Sequence, residues 1–393
     1  MAKEPLTLTI IASQSSREYA LFRGKTKRAT LILTDNYGEF NCMLKNKEGH
    51  EDRLKTSIAS FKNVPKNIMN LFYEQKIVKE SSQVSKIGLK VVVPNNNFLH
   101  DQLITENYLN ELKNLQHKFK WLKDVISEIE NLWQAFPFVP LIATSDSSFN
   151  SCKPEQAWNY GIDISLSDKL GIKRFGYQGL ACESVVSQLY YDLPQKLIVC
   201  YLDEQHSTIT ALNSGCAVDS TSGYWPNEAI FAGSSSDSVP YEAVESMRQD
   251  MGLTYDQMVE HLNKYSGLFG LSGESPSINH LLQQAENEAN NLARLAVKTY
   301  IYNIQKGIGQ MVAACGGADA LVFTGSVGEN SDHIRTKIVN GLDYFGFAID
   351  ERKNSKCKNP EAPTKINLRT RVNQIYVVSA DEHQVLATHT IKY

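Results

Sequence analysis

The 393-residue chain has no marked excess of either charge sign. It carries 40 lysine and arginine residues against 43 aspartate and glutamate residues, which gives a formal net charge of -3. Proteins that bind nucleic acid or an anionic membrane surface through their charge usually present a basic patch or stripe. We therefore expect neither a nucleic acid nor a membrane surface among the partners of this protein.

Long apolar runs and closely spaced cysteines are also missing. No apolar stretch approaches the roughly 20 residues that a membrane-spanning helix needs. The apolar run after Pro5 is cut short by polar residues, which is a poor match to a signal peptide. The seven cysteines are dispersed and include no Cys-x-x-Cys pair, an arrangement that suits a reducing compartment. We expect a cytoplasmic protein.

Glycine is absent from the first turn of the chain. After "LTLTIIA" the sequence turns through Ser13, Gln14, Ser15 and Ser16 and continues into a second apolar stretch. Such a turn can bind phosphate when its backbone N–H groups converge, and glycine normally permits that close approach. The serines are typical of a phosphate loop, whereas the missing glycine is not.

The elements that are present follow the same order twice. Short β-rich runs at the start predict an antiparallel meander, and apolar spacing predicts helices over residues 64–78 and 109–136. After about residue 150 the pattern begins again with a predicted hairpin at 195–215, a long helix at 285–316, and a strand, glycine-bearing turn and helix at 318–342. A last strand and a terminal helix close the chain.

This repetition predicts a duplicated α/β fold. We expect a ribonuclease-H-like domain over residues 1–150, completed by about 375–393, and a second one over 151–374. Actin, the hexokinases and the sugar kinases share this two-domain plan. An active site is then expected in the interdomain cleft, because domain interfaces favour pockets.

Several stretches go further and resemble the acetate kinase family. The clearest is "FTGSVGENSDHIR" (residues 323–335), which is similar to the adenosine-binding strand, turn and helix of that family. The other resembling stretches, in family order, are "SDSSFN" (145–150), "IKRFGYQG" (172–179), "AVDSTSGYWPNEAIFAG" (217–233), "YSGLFGLSGES" (265–275) and "SADEHQVLATHT" (379–390). The resemblance runs from about residue 8 to residue 390.

The resemblance implies a nucleotide site and a metal site. It implies ATP or ADP and Mg²⁺ as cofactors, with Asp146 and Glu382 on the metal side. The nucleotide-binding residues that it implies are Gly270, Ser272, Gly325, Val327, Gly328, Glu329 and Asn330. The implied reaction transfers the γ-phosphoryl group of ATP to acetate or another short-chain carboxylate, which yields ADP and an acyl phosphate.

This reaction brings two anions together, so its site needs cations and hydrogen-bond donors around the moving phosphoryl group. Carried over by the resemblance, the catalytic positions are Asp146, Lys90, Gln178 and His117. Lys90 stands where the family has an arginine and lacks the two-pronged guanidinium. Gln178 stands in place of a histidine, and Ser235 in place of a second arginine.

The phosphate side departs furthest from the family. Asp203 and Glu204 take the place of a glycine-bearing phosphate loop, where they would repel an anion. Two hypotheses follow. The first is a pseudoenzyme that keeps nucleotide or partner binding but is weak or inactive as a kinase. The second is an active acetate or short-chain carboxylate kinase with a remodelled site. By resemblance, and from the apolar helix near residues 290–312, we also expect a homodimer.

Overall fold

The computed structural model describes residues 4–13, 16–36, 39–47, 49–54, 64–79, 83–226, 228, 230–287, 289–370 and 372–393. The chain divides into two compact units. The first comprises Met1–Ser148 together with Asp381–Tyr393, and the second is Phe149–Ala380. Each unit is built on a β-sheet.

The first unit contains an eight-stranded sheet in the order β5-β4-β3-β2-β1-β6-β8-β7. Its strands are β1 (Leu6–Ala12), β2 (Ser16–Arg23), β3 (Thr26–Asn36), β4 (Glu39–Asn46), β5 (Glu51–Leu54), β6 (Val84–Val91), β7 (Gln102–Leu103) and β8 (Leu141–Ser145). Strands β1 to β5 pair antiparallel in sequence order, so the predicted meander is confirmed. Strands β6 and β8 extend the sheet in parallel with β1.

The helices of the first unit include one correction. They are α1 (Val64–Glu74), α2 (Glu106–Leu115), α3 (Leu122–Ala135) and a C-terminal helix (Glu382–Lys392). The single helical stretch predicted over residues 109–136 is wrong, since residues 116–121 separate α2 from α3. Phe119 turns into the core there, and the indole N–H of Trp121 donates to the carbonyl of Val92 at 3.0 Å. These two contacts are incompatible with one continuous helix.

The C-terminal helix packs directly on the sheet of the first unit at Gly88. A Cβ at that position would lie 1.9 Å from the hydroxyl oxygen of Thr390, so only glycine allows this approach. The helix is capped by Asp381, whose carboxylate accepts from the backbone N–H of Gln384. The cap and the packing together hold Glu382 in the first turn of the helix.

The second unit contains a six-stranded sheet in the order β11-β10-β9-β12-β14-β13. Its strands are β9 (Lys196–Leu202), β10 (Ser207–Asn213), β11 (Cys216–Ser220), β12 (Ala320–Thr324), β13 (Thr364–Lys365) and β14 (Gln374–Val377). Strands β9 and β10 form the predicted hairpin. Strand β12 lies parallel to both β9 and β14 at the centre of the sheet.

The long helix of the second unit fills the core on one side of this sheet. The helices are α4 (Ile164–Leu170), α5 (Gly179–Gln188), α6 (Tyr241–Asp250), α7 (Tyr255–Lys264), α8 (Gly267–Ser272), α9 (Ile278–Ala285), α10 (Asn291–Cys315), α11 (Gly325–Asn330), α12 (Asp332–Val339) and α13 (Glu351–Lys356). Asn290 caps α10, and Gly316, in the left-handed conformation, ends it. Within the described part of the chain, no helix is long and apolar enough to cross a membrane.

Candidate functional site

The first turn uses its described backbone groups within the turn. The N–H of Ser13 donates to the carbonyl of Ser16 at 2.9 Å, and the N–H of Ser16 donates to the hydroxyl of Ser13 at 3.0 Å. Gln14 and Ser15 lie outside the described residues. The backbone amides of Ser13 and Ser16, which could have faced a phosphate, therefore donate to acceptors within the turn instead.

The side chain of a buried arginine, Arg17, hydrogen bonds to this turn. Arg17 is only 7% exposed, and its guanidinium donates to the carbonyl oxygens of both Ser13 and Ser16. It also pairs with Asp124 at 3.1 Å and lies 3.7 Å from Glu128, both on α3. The carbonyl oxygens of Ser13 and Ser16 thus accept from a cationic side chain of the protein itself. These hydrogen bonds fix the conformation of a turn that contains no glycine.

Lys90, Asp146 and Glu382 converge in the first unit. Lys90 lies near the C-terminal end of β6, Asp146 directly follows β8, and Glu382 is the first residue of the C-terminal helix. The Lys90 ammonium lies 2.6 Å from a Glu382 oxygen and 3.2 Å from an Asp146 oxygen. The side chains of Lys90, Glu382 and Asp146 are 11%, 14% and 2% exposed, respectively. Three predicted site residues thus form one buried charge cluster.

The electrostatics of this cluster favour a protonated lysine. Burial by itself would lower the pKa of Lys90, but the charges of Asp146 and Glu382 outweigh it and raise that pKa above its ordinary value. Burial raises the pKa of Glu382, and Lys90 counteracts that effect. The Lys90 ammonium therefore supplies the positive charge that offsets the cost of burying the Asp146 and Glu382 carboxylates.

Glu18 and His383 extend the cluster. The His383 Nδ1 lies 2.9 Å from the Thr9 hydroxyl, and its Nε2 lies 3.5 Å from a Glu18 oxygen. Burial acts to raise the pKa of Glu18, but the hydrogen bond and charge of His383, with the charges of Lys90 and Lys27, lower it overall. The surroundings of Lys90 thus contain a third carboxylate.

His117 and Gln178 are the two remaining predicted catalytic residues. His117 is exposed in the turn between α2 and α3, where its Nδ1 lies 2.6 Å from the Asn114 carbonyl oxygen. Gln178 belongs to the second unit and precedes α5 with a φ of +62°, a left-handed conformation that is uncommon without glycine. In the first unit, therefore, His117 is not part of the charge cluster around Lys90.

The stretch 323–335, which the resemblance implies to bind adenosine, packs tightly on β9. Gly325 has a φ of +80°, and a Cβ there would lie 2.6 Å from the Leu202 carbonyl oxygen, so the position requires glycine. The helix of this stretch, α11, begins at Gly325. Val327 is fully buried among Leu202 and Phe323, so it belongs to the core.

Glu329 and Asn330 hydrogen bond within the same stretch. One Glu329 oxygen accepts from the backbone N–H of Gly325 at 2.9 Å and from the Thr324 hydroxyl at 3.3 Å. Burial raises the pKa of Glu329, and these hydrogen bonds act against the rise. The Asn330 amide donates to the Ser326 carbonyl at 3.0 Å. The Glu329 carboxylate thus accepts a hydrogen bond from the first backbone N–H of α11.

The other glycine-bearing stretch, residues 265–275, closes on the loop that contains Ser235. A Cβ at Gly267, whose φ is +61°, would lie 2.6 Å from the Ser235 carbonyl oxygen. Gly270 is exposed, and a Cβ there would lie 2.8 Å from the Tyr265 carbonyl oxygen. The Ser272 hydroxyl accepts from the backbone N–H groups of Glu274 and Ser275. These residues shape the backbone of the stretch.

Two carboxylates lie on backbone amides next to these stretches. The Glu204 carboxylate accepts from the Ser277 hydroxyl at 3.3 Å, the Ile278 N–H at 3.4 Å and the Asn279 amide at 3.3 Å, at the start of α9. An Asp203 oxygen accepts from the Ser326 N–H at 3.4 Å. Burial is the main cause that raises the pKa of Glu204, and Asp203 adds to the rise.

The chain resembles known proteins along nearly its whole length. A model of the acetokinase family matches residues 6–388. The chain belongs to this family. It is 28% identical to the acetate kinase of Thermoanaerobacterium thermosaccharolyticum over 401 residues, which covers 96% of this chain and 98% of that one. It is 30% identical to the acetate kinase of Caldanaerobacter subterraneus over 354 residues, 88% of this chain and 87% of that one.

The fold agrees as well. A crystal structure of a propionate kinase from Francisella tularensis superimposes with a TM-score of 0.87 at 24% identity, covering 99% of both chains. An acetate kinase structure from Porphyromonas gingivalis gives a TM-score of 0.84 at 23% identity, again over 99% of both chains. The predicted α/β fold class, that of the acetate kinases with an open sheet in each unit, is confirmed.

In this acetokinase-family chain, Lys90 already pairs with both carboxylates that the resemblance assigns to Mg²⁺. Mg²⁺ prefers carboxylate oxygens and often takes only one or two from the protein, at about 2.1 Å. An ion bound to the paired oxygens of Asp146 or Glu382 would lie within roughly 5 Å of the Lys90 ammonium. At an effective dielectric constant of about 20, the ammonium would repel such an ion by roughly 7 kcal/mol, which would offset part of its attraction to the carboxylates. Among the described residues, no group of three His, Cys, Asp or Glu side chains could hold a metal.

Two buried cations were missed by reasoning from the acetokinase-family motifs. Arg335 is fully buried and donates to Asn354 and to the carbonyl oxygens of Gly328, Glu329 and Cys357 at 2.7–3.0 Å. Lys153 is 5% exposed, and burial is the main cause that lowers its pKa to about 8. Arg335 stands at the end of the most conspicuous motif, which is a signal that could have identified it.

Proposed function

We propose that this protein is an acetokinase-family pseudoenzyme that binds an adenine nucleotide through its base and ribose and has weak or no kinase activity. The base and ribose would lie against the stretches 323–330 and 265–275, where glycines allow close backbone approach. The phosphates would contribute little to affinity. A small carboxylate or a protein partner is the second expected ligand.

The observation that carries the proposal is the position of Asp203 and Glu204. Backbone N–H groups at the start of a helix attract anions, and phosphate commonly binds there. In this chain the Glu204 carboxylate already accepts hydrogen bonds from the start of α9, and the Asp203 carboxylate accepts one from Ser326. A nucleotide phosphate would have to displace these carboxylates and approach their negative charge.

Two further features support a weak phosphate side. The described amides of the first turn, those of Ser13 and Ser16, are used within the turn. Lys90 is engaged by Glu382 and Asp146, so its charge is already neutralised within the protein. Removing one preorganised donor from such a site typically reduces a rate by about 10²- to 10³-fold.

We also propose that the second unit provides the adenosine side and most of a homodimer interface. Leu292, Leu295 and Tyr302 on α10 are 55%, 51% and 61% exposed, which leaves apolar surface for a second copy to cover. Because Lys90 occupies the carboxylates implied for Mg²⁺, we propose that nucleotide binding is independent of that ion. A cytoplasmic location remains a prediction.

Calorimetry with adenosine, AMP, and ATP with and without MgCl₂ tests the proposal. We expect adenosine and AMP to bind about as tightly as ATP. The double variant Asp203→Asn/Glu204→Gln should bind ATP more tightly, because it removes two negative charges while each amide keeps one accepting oxygen. Glu286→Gln, which removes an exposed charge at the opposite end of α9, is the matched control and should change nothing.

A contrary result has a defined size. If ATP with magnesium binds ten-fold or more tightly than AMP, a difference of about 1.4 kcal/mol, the phosphate side is functional and the pseudoenzyme proposal fails. A hydroxamate assay for acyl phosphate, run with acetate and with propionate, measures the activity directly. Turnover comparable to that of the named acetate kinases would also refute the proposal.

The alternative function is an active acetate or short-chain carboxylate kinase with a remodelled site. The observation that favours it is the convergence of Lys90, Asp146 and Glu382, which keeps a cation between two carboxylates at the positions implied by the resemblance. In this case Lys90 would replace an arginine, and Lys90→Arg should raise the rate of acyl phosphate formation.

A further inference from the structure

The cysteines of the chain differ sharply in exposure. Cys42, Cys182, Cys200, Cys315 and Cys357 are buried, and only Cys152 and Cys216 are exposed. Buried thiols are generally inert, whereas exposed ones react with oxidants. The two accessible thiols belong to the same unit, one at the end of a short 3₁₀ helix and the other at the start of β11.

These two exposed cysteines are also neighbours. The Cys152 sulfur accepts a hydrogen bond from the backbone N–H of Ala217 at 3.1 Å, and that nitrogen is bonded directly to the carbonyl carbon of Cys216. The Cys152 thiol also donates to the Ala217 carbonyl oxygen at 3.6 Å, so its sulfur lies against the backbone that directly follows Cys216. Two accessible cysteines this close in the fold, although distant in sequence, can form a disulfide when their Cα atoms come within about 4.4–6.8 Å of each other.

We propose that Cys152 and Cys216 form a reversible intramolecular disulfide when the protein meets a hydroperoxide. This oxidation site does not depend on the proposed function of the nucleotide stretches. No kinase or binding residue discussed above takes part in it.

The chemistry balances with hydrogen peroxide as the oxidant. One thiolate attacks a peroxide oxygen, so that an S–O bond forms, the O–O bond breaks and the first water leaves. The second thiol then attacks the sulfenic sulfur; the S–S bond forms, the S–O bond breaks and a second water leaves. Overall, the two thiols lose two electrons and two protons, and the peroxide is reduced to two molecules of water.

The protonation of Cys152 bears on the rate of this reaction. Burial of its sulfur is the main cause that raises the pKa of Cys152, and the neighbouring Cys216 thiol adds to the rise. Since the thiolate is the reactive form, disulfide formation should become faster as the pH rises above neutrality.

The test treats the full-length protein with hydrogen peroxide and then alkylates the free thiols under denaturing conditions. We expect the number of alkylated cysteines to fall from seven by two, with a mass loss of about 2 Da in the unalkylated protein. Peptide mapping should show the 152–216 cross-link, and a reducing agent should restore all seven thiols.

Single substitutions provide the controls. Cys152→Ser and Cys216→Ser should each prevent the loss of alkylatable thiols, while Cys42→Ser, at a buried site, should still lose two. The proposal is overturned if all seven wild-type thiols remain free after treatment. It is equally overturned if the product is a disulfide between two chains, or sulfinic acid, about 32 Da heavier, without the cross-link. Because the peptide map reads the wild-type protein, a variant that fails to fold does not decide the result.

Discussion

Replacing Lys90 by methionine should destabilise the first unit through the two carboxylates it leaves behind. Methionine is similar in length to lysine but has no charge, so Asp146 and Glu382 would remain buried without their counter-charge. Removing one partner of a buried ion pair typically costs about 3–5 kcal/mol of unfolding free energy. The contacts of 2.6 Å and 3.2 Å with side chains at most 14% exposed place Lys90 in that class.

The loss should depend on pH in a defined direction. Without Lys90, the folded-state pKa of Glu382, already raised by burial, should rise further above its unfolded value. A group with a raised folded pKa contributes its full stability below the unfolded pKa and loses it as the pH rises through the folded pKa. Lys90 itself has a raised pKa, so its contribution in the wild type is complete at neutral pH. The difference between wild type and Lys90→Met should therefore be larger at pH 8 than at pH 5.

Urea unfolding at these two pH values measures both quantities. Lys113→Met is the matched control, because Lys113 pairs with Glu130 at 2.6 Å on the surface, with both side chains more than 40% exposed. Such a pair contributes about 0–1 kcal/mol. A loss below 1 kcal/mol for Lys90→Met, or an equal loss at both pH values, would refute the reasoning.

The same variant tests whether Lys90 takes the place of a metal. Once the ammonium is gone, two carboxylates remain without a cation, and MgCl₂ should raise the melting temperature of Lys90→Met in a concentration-dependent way. The wild-type melting temperature should not respond. Stabilisation of the wild type by MgCl₂ that Glu382→Gln abolishes would contradict this account.

Two other buried cations give further predictions. Arg335→Met should lower the unfolding free energy by about 4 kcal/mol or more, because the acceptors on Gly328, Glu329, Asn354 and Cys357 lose their donor; a loss under 1.5 kcal/mol by urea unfolding would be inconsistent with that role. For Lys153, burial gives a folded pKa of about 8 against an ordinary 10.5, so the unfolded chain holds more protons between those pH values. Wild type should therefore gain up to roughly 3 kcal/mol relative to Lys153→Met as the pH rises through this range, and a constant difference would show that the amine titrates normally.

Local patterns predicted much of the fold correctly. The meander β1–β4, the hairpin of β9 and β10, the long helix α10 and the C-terminal helix all follow from apolar spacing and turn residues. Such patterns depend on neighbours a few positions apart, and these are present in the sequence itself. The break between α2 and α3 was missed because its cause is the packing of Phe119 and the Trp121 hydrogen bond to a distant strand.

What the sequence by itself determined is the family and the fold class, and it also predicted Lys90, Asp146 and Glu382 as site residues. Only the tertiary structure decided that these three charges neutralise one another, since Lys90 and Glu382 are 292 positions apart. It also decided that Glu204 accepts from the start of α9 and that the Cys152 sulfur lies 3.1 Å from the Ala217 nitrogen, next to Cys216. Each of these is an interaction between side chains brought together by packing, and neither composition nor spacing along the chain records the distance between them.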